Sequence, residues 1–316
     1  MSRNGRFVAF RSNAINLVTG DTNSADDIFV HDRDLDGNGV FDETAPGRRS
    51  TVRVNLSTSG LQTNSGSRSM TPAISDDARF VAFASEATNL VAGDTNAVSD
   101  IFLRDRRVSG NGALDDPGNV STTRISVGAG VVQSNRPSFR PSMSGDGRFI
   151  AFDSGADNLT SGDTNRVQDV FLYDGLLQSL RRISLGVDGG ETNGSSYAAA
   201  VSRDGRFVAF FSTATNLVAV DTNSAGDVFV WDRLFADAGL PAVRRVSLSA
   251  NGGQADSTSA APRISDHGGT VVFQSIASNL VASGWIGIRS IFVVDRLILN
   301  PPLIAPLEAP ELDVSP

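Results

Sequence analysis

GRFVAF at 5–10 returns as ARFVAF at 78–83, GRFIAF at 147–152, GRFVAF at 205–210 and, in weaker form, GTVVF at 269–273. Each copy leads into an Asn-Leu pair and then a short apolar run that ends in Asp. The equivalent positions Phe7, Phe80, Phe149, Phe207 and Thr270 are separated by 73, 69, 58 and 63 residues. A constant unit joined by loops of different length is the sequence form of a stacked array, in which each unit buries its apolar face on the next.

One unit reads as four strands. Phe149, Ile150, Ala151 and Phe152 run apolar without in/out alternation, so both faces of that strand are expected to be buried. A second strand follows at 169–174 (DVFLYD), matched at 27–32, 100–105, 227–232 and 290–295. A third, at 180–185 and matched at 51–56, 122–127 and 243–248, alternates apolar and polar residues, as an outer strand with one wet side does. A fourth, short and made of small residues, precedes each phenylalanine run at 72–75, 141–144, 199–202 and 262–265, where crowding near an axis favours small side chains. Asp146-Gly147 and Asp204-Gly205 between these strands supply the positive φ of a tight hairpin.

These features specify an all-β chain, a β-propeller of about five four-stranded blades over residues 1–299. A β-sandwich would show polar alternation on most of its strands. The first unit lacks its inner strand and the fifth a clear outer one, so an incompletely closed ring is expected. A chain that opens inside a unit reads as a fragment or a processed form. Residues 300–316 read as a Pro-rich tail or linker, and five of the twelve prolines fall in 297–316.

The chain has 316 residues, a formal charge of −8, no Cys, and Arg as its only basic residue besides His. An acidic protein whose cations recur at fixed repeat positions is a poor match for nucleic acid or an anionic membrane. No 18-residue apolar run is present, so no membrane insertion is expected. Without Cys there are no disulfides, thiolate metal sites or Cys nucleophiles.

One segment carries a chemical signature. Residues 32–43, DRDLDGNGVFDE, place Asp32, Asp34 and Asp36 at positions 1, 3 and 5, Gly37 at 6, Asn38 at 7 and Glu43 at 12, the spacing of an EF-hand calcium loop. A hard cation takes six to eight oxygens, and a sharp turn lets these residues converge. Flanking strands predict a loop-only Ca²⁺ site with Asp32, Asp34, Asp36, Asn38 and Glu43 as ligands, stiffening a hairpin. The second unit has Arg107 and Ser109 at positions 3 and 5, so that hairpin is expected to form without metal.

Repeated polar residues read as scaffold. Asn16, Asn89, Asn158, Asn216 and Asn279 each precede Leu, and Asp-Thr-Asn begins at Asp21, Asp94, Asp163 and Asp221. Such residues commonly hydrogen-bond their own backbone in Asx turns.

No catalytic residues are assigned. His31 occupies a slot filled elsewhere by Arg104, Tyr173, Trp231 and Val294, and His267 stands in a turn, so a Ser-His-Asp arrangement has no support. Gly194-Ser195-Ser196-Tyr197-Ala198 lacks the last Gly of a nucleophile elbow. Asp76, Asp146, Asp204 and Asp266 flank the inner strands, and a glycosidase needs such carboxylates paired near the axis.

The pattern SxDGRFVAF, followed by IFVxDR-like and TxRVS-like strands, resembles the TolB-like, WD-type propeller repeats of bacterial proteins, up to about residue 297. The resemblance implies a periplasmic or secreted setting and protein partners. TolB itself has six blades and a further N-terminal domain, neither of which is read here, so no role in an envelope complex is carried over. The expected function is a non-catalytic binding or scaffold propeller. The alternatives are a polysaccharide-active or peptidase-type hydrolase, and a carbohydrate-binding propeller using Tyr197 and Trp285 as loop aromatics.

Overall fold

A computed structural model describes residues 1–65, 71–281 and 288–295. The strands are β1 (Phe7–Ser12), β2 (Asp27–Asp32) and β3 (Ser50–Arg53) in blade 1, then β4 (Ala73–Ile74), β5 (Phe80–Ser85), β6 (Asp100–Asp105) and β7 (Ser121–Arg124) in blade 2. A small hairpin, β8 (Val127–Gly128) and β9 (Val132–Gln133), leads to β10 (Ser138–Met143), β11 (Phe149–Ser154), β12 (Asp169–Asp174) and β13 (Ser179–Arg182) in blade 3. Blade 4 holds β14 (Ser196–Val201), β15 (Phe207–Ser212), β16 (Asp227–Asp232), the short helix α1 (Arg233–Asp237) and β17 (Val243–Arg245). Blade 5 holds β18 (Ser259–Ile264), β19 (Thr270–Ser275) and β20 (Ser290–Asp295). Within each blade the strands pair antiparallel in chain order, and β4, β10, β14 and β18 neighbour one another along the axis. The protein is therefore an all-β propeller.

Packing follows from the unalternating apolar runs. Opposite residues of the two central strands form the same phenylalanine stack in every blade, from Phe10–Phe29 at 5.7 Å to Phe273–Phe292 at 5.9 Å. The opposite faces of these strands supply smaller groups, and successive blades interleave the two. Val81 and Phe83 meet Ile28 and Val30 of blade 1, while Ala82 and Ile101 on the reverse meet Ile150 and Phe152 of blade 3. Such a buried Phe contributes roughly 1.5–3 kcal/mol by transfer alone.

Four such cores serve five blades among the described residues. Ile28, Ile101, Val170 and Val228 are fully buried between blades, but their counterpart Ile291 is 62% exposed and its neighbour Val293 67%. Among the described residues the ring is thus open between blades 5 and 1, where Arg3 lies 3.5 Å from Asp266. No inner strand pairs with β1 among the described residues. The expected outer strand of blade 5 and the tail at 300–316 lie outside the described residues.

Two boundaries differ from those read in the sequence. The inner strands of blades 3 to 5 begin three residues earlier, because each contains a bulge with positive φ at Arg140, Ala198 or Ala261 that breaks the expected pattern. The outer strands end early: Asn55, Ser126, Ser184 and Ser247 turn their side-chain oxygens onto the N–H of Ile28, Ile101, Val170 and Val228 at 3.0–3.1 Å. A side chain there replaces the next backbone acceptor of the ladder.

Candidate functional site

The 32–43 loop leaves β2 with its acidic residues already engaged. Asp32 accepts from Arg6 Nε and Nη2 at 2.8 Å each, and the same bidentate pair recurs as Arg79–Asp105, Arg148–Asp174 and Arg206–Asp232. Asp32 is therefore a repeat residue that ties the turn before β1 to the end of β2. Asp34 is buried and accepts from the N–H of Asn38 and Gly39 at 2.9 and 3.0 Å. Asp36 pairs with Arg48, and Asn38 Nδ2 donates to Glu43 at 2.8 Å. As arranged, these five residues do not form a calcium shell. Among the described residues no group of three or more acidic or His side chains converges as metal ligands.

The hairpin has a structural explanation that sequence reading missed. Arg33 grips Asp42 and donates to the Gly5 carbonyl at 2.9 Å, and in blade 2 Arg106 grips Asp115 and donates to the Ala78 carbonyl at 3.0 Å. The motif ties both loops to the turn before the first central strand of their blades. Aligning residue 33 with 106 and 42 with 115 would have shown it.

The Asn-Leu asparagines join blades rather than capping their own turns. Asn89, Asn158, Asn216 and Asn279 donate from Nδ2 to the carbonyls of Gln62, Gln133, Glu191 and Gln254 at 2.7–2.8 Å. Each also accepts, through Oδ1, from the N–H of Asn64, Asn135, Asn193 or Asp256 at 3.1 Å. Each clip holds one blade to the segment leaving the blade before it. Asn16 stands at the open junction, exposed and without such a bond among the described residues.

The Asp-Thr-Asn asparagines do form Asx turns, with Asn23 Oδ1 accepting from Ala25 N at 3.3 Å and Asn223 Oδ1 from Ala225 N at 3.1 Å. The preceding aspartates have a different task. Arg53 Nη1 lies 3.0 Å from Asp21 and 3.1 Å from Asp27, and Arg124, Arg182 and Arg245 repeat this buried arrangement. Burial pushes the carboxyls of Asp94, Asp169 and Asp227 up from their ordinary range, and that of Asp163 up to about 6.

At the turn end of the axis, Arg203 lies 2.8 Å from Asp76 and 3.7 Å from Asp266, linking blades 2, 4 and 5. Asp146 and Asp204 accept from Ser144 and Ser202 in their own turns. None of these carboxylates is left as a free catalytic pair. Farther along the axis, Arg140 grips the fully buried Asp153 at 2.8 and 2.9 Å and lies over the Tyr197 ring. Neither Arg140 nor Asp153 was singled out in the sequence, because blades 2, 4 and 5 carry Ala84, Phe211 and Gln274 at the position of Asp153.

His31 Nδ1 bonds Thr51 Oγ1 at 2.8 Å, and His267 is exposed 3.6 Å from Asp204, so the two histidines serve separate places. Trp285 lies outside the described residues. A groove of about 390 Å³ runs between blades 3 and 4, walled by Leu185, Val187, Leu217, Leu240 and Val243 around the buried Trp231. It holds no nucleophile with an adjacent base.

No protein-family model and no curated protein matches the chain. Among solved structures, it is similar to TolB from Acinetobacter baumannii at 17% identity, over 92% of this chain and 50% of that one, with a TM-score of 0.45. It is also similar to the β-propeller domain of the Trilobed protease from Pyrococcus furiosus, described as having an open velcro topology, at 12% identity over 92% and 65% (TM-score 0.43). A puromycin-hydrolyzing peptidase of Mycobacterium tuberculosis is similar at 13% identity over 93% and 35% (TM-score 0.46). The chain thus spans half the length of the A. baumannii protein. Among the described residues no helix is long and apolar enough to cross a membrane.

Proposed function

We propose that this propeller is a non-catalytic binding or scaffold module that acts in the periplasm or outside the cell and engages a protein partner at the open flank of blade 5. The observation that carries the reading is the exposure of Ile291 and Val293 where four equivalent residue pairs are covered by a following blade. Engagement of the repeated Asn, Asp and Arg side chains with one another supports it, because among the described residues these leave no grouped acid, base and nucleophile. The setting rests on the resemblance to TolB-like repeats. In the same reading, the 32–43 loop takes calcium only by releasing Asp36 from Arg48, and the ion stiffens the hairpin.

A photo-crosslinking residue at position 291, compared with one at the exposed Leu177 of blade 3, tests the flank. Capture of one protein from position 291, lost when Val293→Asp is added, supports the proposal. Turnover of peptide or polysaccharide substrates, or saturable binding on a glycan array without any such capture, replaces it with the hydrolase or carbohydrate reading.

A further inference from the structure

One column of the repeat breaks the symmetry of the buried ion pairs. Gln62, Gln133 and Gln254 sit beside the Asp-Thr-Asn loops of blades 1, 2 and 4, and Glu191 takes the place in blade 3. Gln suits the position because it presents both hydrogen-bonding senses. Its Oε1 accepts from Thr22 N, Thr95 N and Thr222 N, and in blades 1 and 2 also from Arg53 and Arg124 at 3.0 Å. Its Nε2 donates to the Gly20 and Gly93 carbonyls at 2.7 and 2.8 Å, and in blade 4 to Thr222 Oγ1 at 3.2 Å.

An ionised Glu cannot donate. Glu191 accepts from Thr164 N and from Thr164 Oγ1, and Gly162, the counterpart of Gly20 and Gly93, receives Arg182 Nη2 at 3.1 Å instead. One guanidinium, Arg182, thereby faces three carboxylates: Asp163 at 3.1 Å, Asp169 at 3.4 Å and Glu191 at 3.6 Å. Blades 1, 2 and 4 set two carboxylates against each such Arg. Asp157, 4.0 Å from Arg136, adds a third negative group to the surroundings of Asp163, after Asp169 and Glu191.

We infer that the Asp163–Arg182–Glu191 cluster takes up one proton on mild acidification and thereby tightens the joint between blades 3 and 4, a response that Gln denies to the other blades. Asp163 is the carboxyl that holds the proton. Its side chain is 2% exposed, and desolvation raises its affinity first, opposed by Arg182 and reinforced by Asp169 and Glu191. Glu191 stays ionised, because Thr164 stabilises the charged form. The joint is coupled to the cluster through the clip: the backbone of 191–193 receives Asn216 Nδ2 at Glu191 O and bonds Asn216 Oδ1 from Asn193 N, while Thr192 Oγ1 reaches Asp169 at 3.4 Å. Relief of repulsion at the cluster therefore stabilises the segment that fastens blade 4.

The sign follows from linkage. A carboxyl whose folded affinity for protons is raised contributes stability that is fully present below its unfolded pKa and is lost as pH rises through about 6. The test compares melting temperatures from pH 4.5 to 8 for the native chain, Glu191→Gln and Gln133→Glu. Glu191→Gln places in blade 3 the residue that three other blades carry, so it is expected to fold. It should melt a few degrees above the native chain at pH 8 and converge with it below pH 5. Gln133→Glu should transplant the response, melting below the native chain at pH 8 and converging at pH 5. A carbon-detected NMR titration of Asp163 should show its midpoint fall in Glu191→Gln. Parallel melting curves for the native chain and Glu191→Gln, or an unmoved Asp163 midpoint, overturn the inference.

Discussion

Gly147 closes the turn of blade 3 directly over the ring of Phe80 in blade 2: a Cβ placed on it would stand 2.3 Å from Phe80 Cδ2. Gly205 meets Phe149 at 2.3 Å and Gly268 meets Phe207 at 2.1 Å in the same way, so each turn glycine seats one blade on the phenylalanine of the blade before it. Gly147 also holds φ +76°, a region costly for residues with a Cβ.

Gly147→Ala combines both penalties and is expected to cost about 2–4 kcal/mol. Gly162→Ala isolates the conformational penalty, because Gly162 has φ +74° and no atom within 4 Å of a new Cβ. It should cost about 1 kcal/mol. Chemical denaturation of both variants checks the difference, and equal losses would remove the inter-blade contact as the cause.

The asparagine clips make a second prediction. Asn158→Ala leaves the Gln133 carbonyl and the Asn135 N–H without their partner and should cost about 1–2 kcal/mol. Asn16→Ala, at the open junction, removes no such bond and should stay within about 0.5 kcal/mol of the native chain. A similar loss at both positions would mean that Asn16 is covered in solution.

These positions show what could be read in the sequence and what could not. The apolar runs around Phe80, Phe149 and Phe207 carry their burial in their own composition, so blade number, strand order and the open ring were legible. The turn glycines were legible as turns, but their contact with the neighbouring Phe was not, because it joins residues some 60 positions apart. The bulges at Arg140, Ala198 and Ala261 leave no compositional mark, since none of these is a glycine, the residue that usually signals a positive φ. The 32–43 loop was legible only in part for a related reason: ligand spacing is visible in a sequence, but the arginines that engage Asp32, Asp36 and Asp42, from positions 6, 48 and 33, are not.

Calcium and Arg48 compete for Asp36 in the proposed loop site. If the loop takes the ion, Arg48→Ala removes the competitor and should tighten binding several-fold in isothermal titration. Asp34→Ala should abolish it. An absence of saturable heat in the native chain and in Arg48→Ala alike would end the proposal.

Acid should act on the turn pairs in the opposite sense to the Asp163 cluster. Arg148, bonded to both oxygens of Asp174, holds that carboxyl below its ordinary range. A depressed carboxyl contributes stability that is present above its unfolded pKa and lost as pH falls through the lower folded value. Arg148→Met should therefore lower the melting temperature at pH 7, and the gap to the native chain should close toward pH 2. A gap independent of pH would place the effect in lost packing of Arg148 on the Phe149 ring, 4.7 Å away.

The open flank can be measured with one substitution made at two equivalent sites. Ile101 and Ile291 occupy the same position on the third strand of their blades, and both strands pair in the same register with the strand before them. Ile101 is fully buried against blade 3, whereas Ile291 is 62% exposed. Thr keeps the branching at Cβ that favours a strand, so the substitution changes burial chemistry and little else. Ile101→Thr loses the δ-methyl, exchanges the γ-methylene for a buried hydroxyl, and should cost about 2–4 kcal/mol. Ile291→Thr should change stability by less than about 0.5 kcal/mol in the isolated chain. A loss at Ile291 comparable with that at Ile101 would show that the flank is covered, and the exposed surface on which the proposed partner depends would not exist.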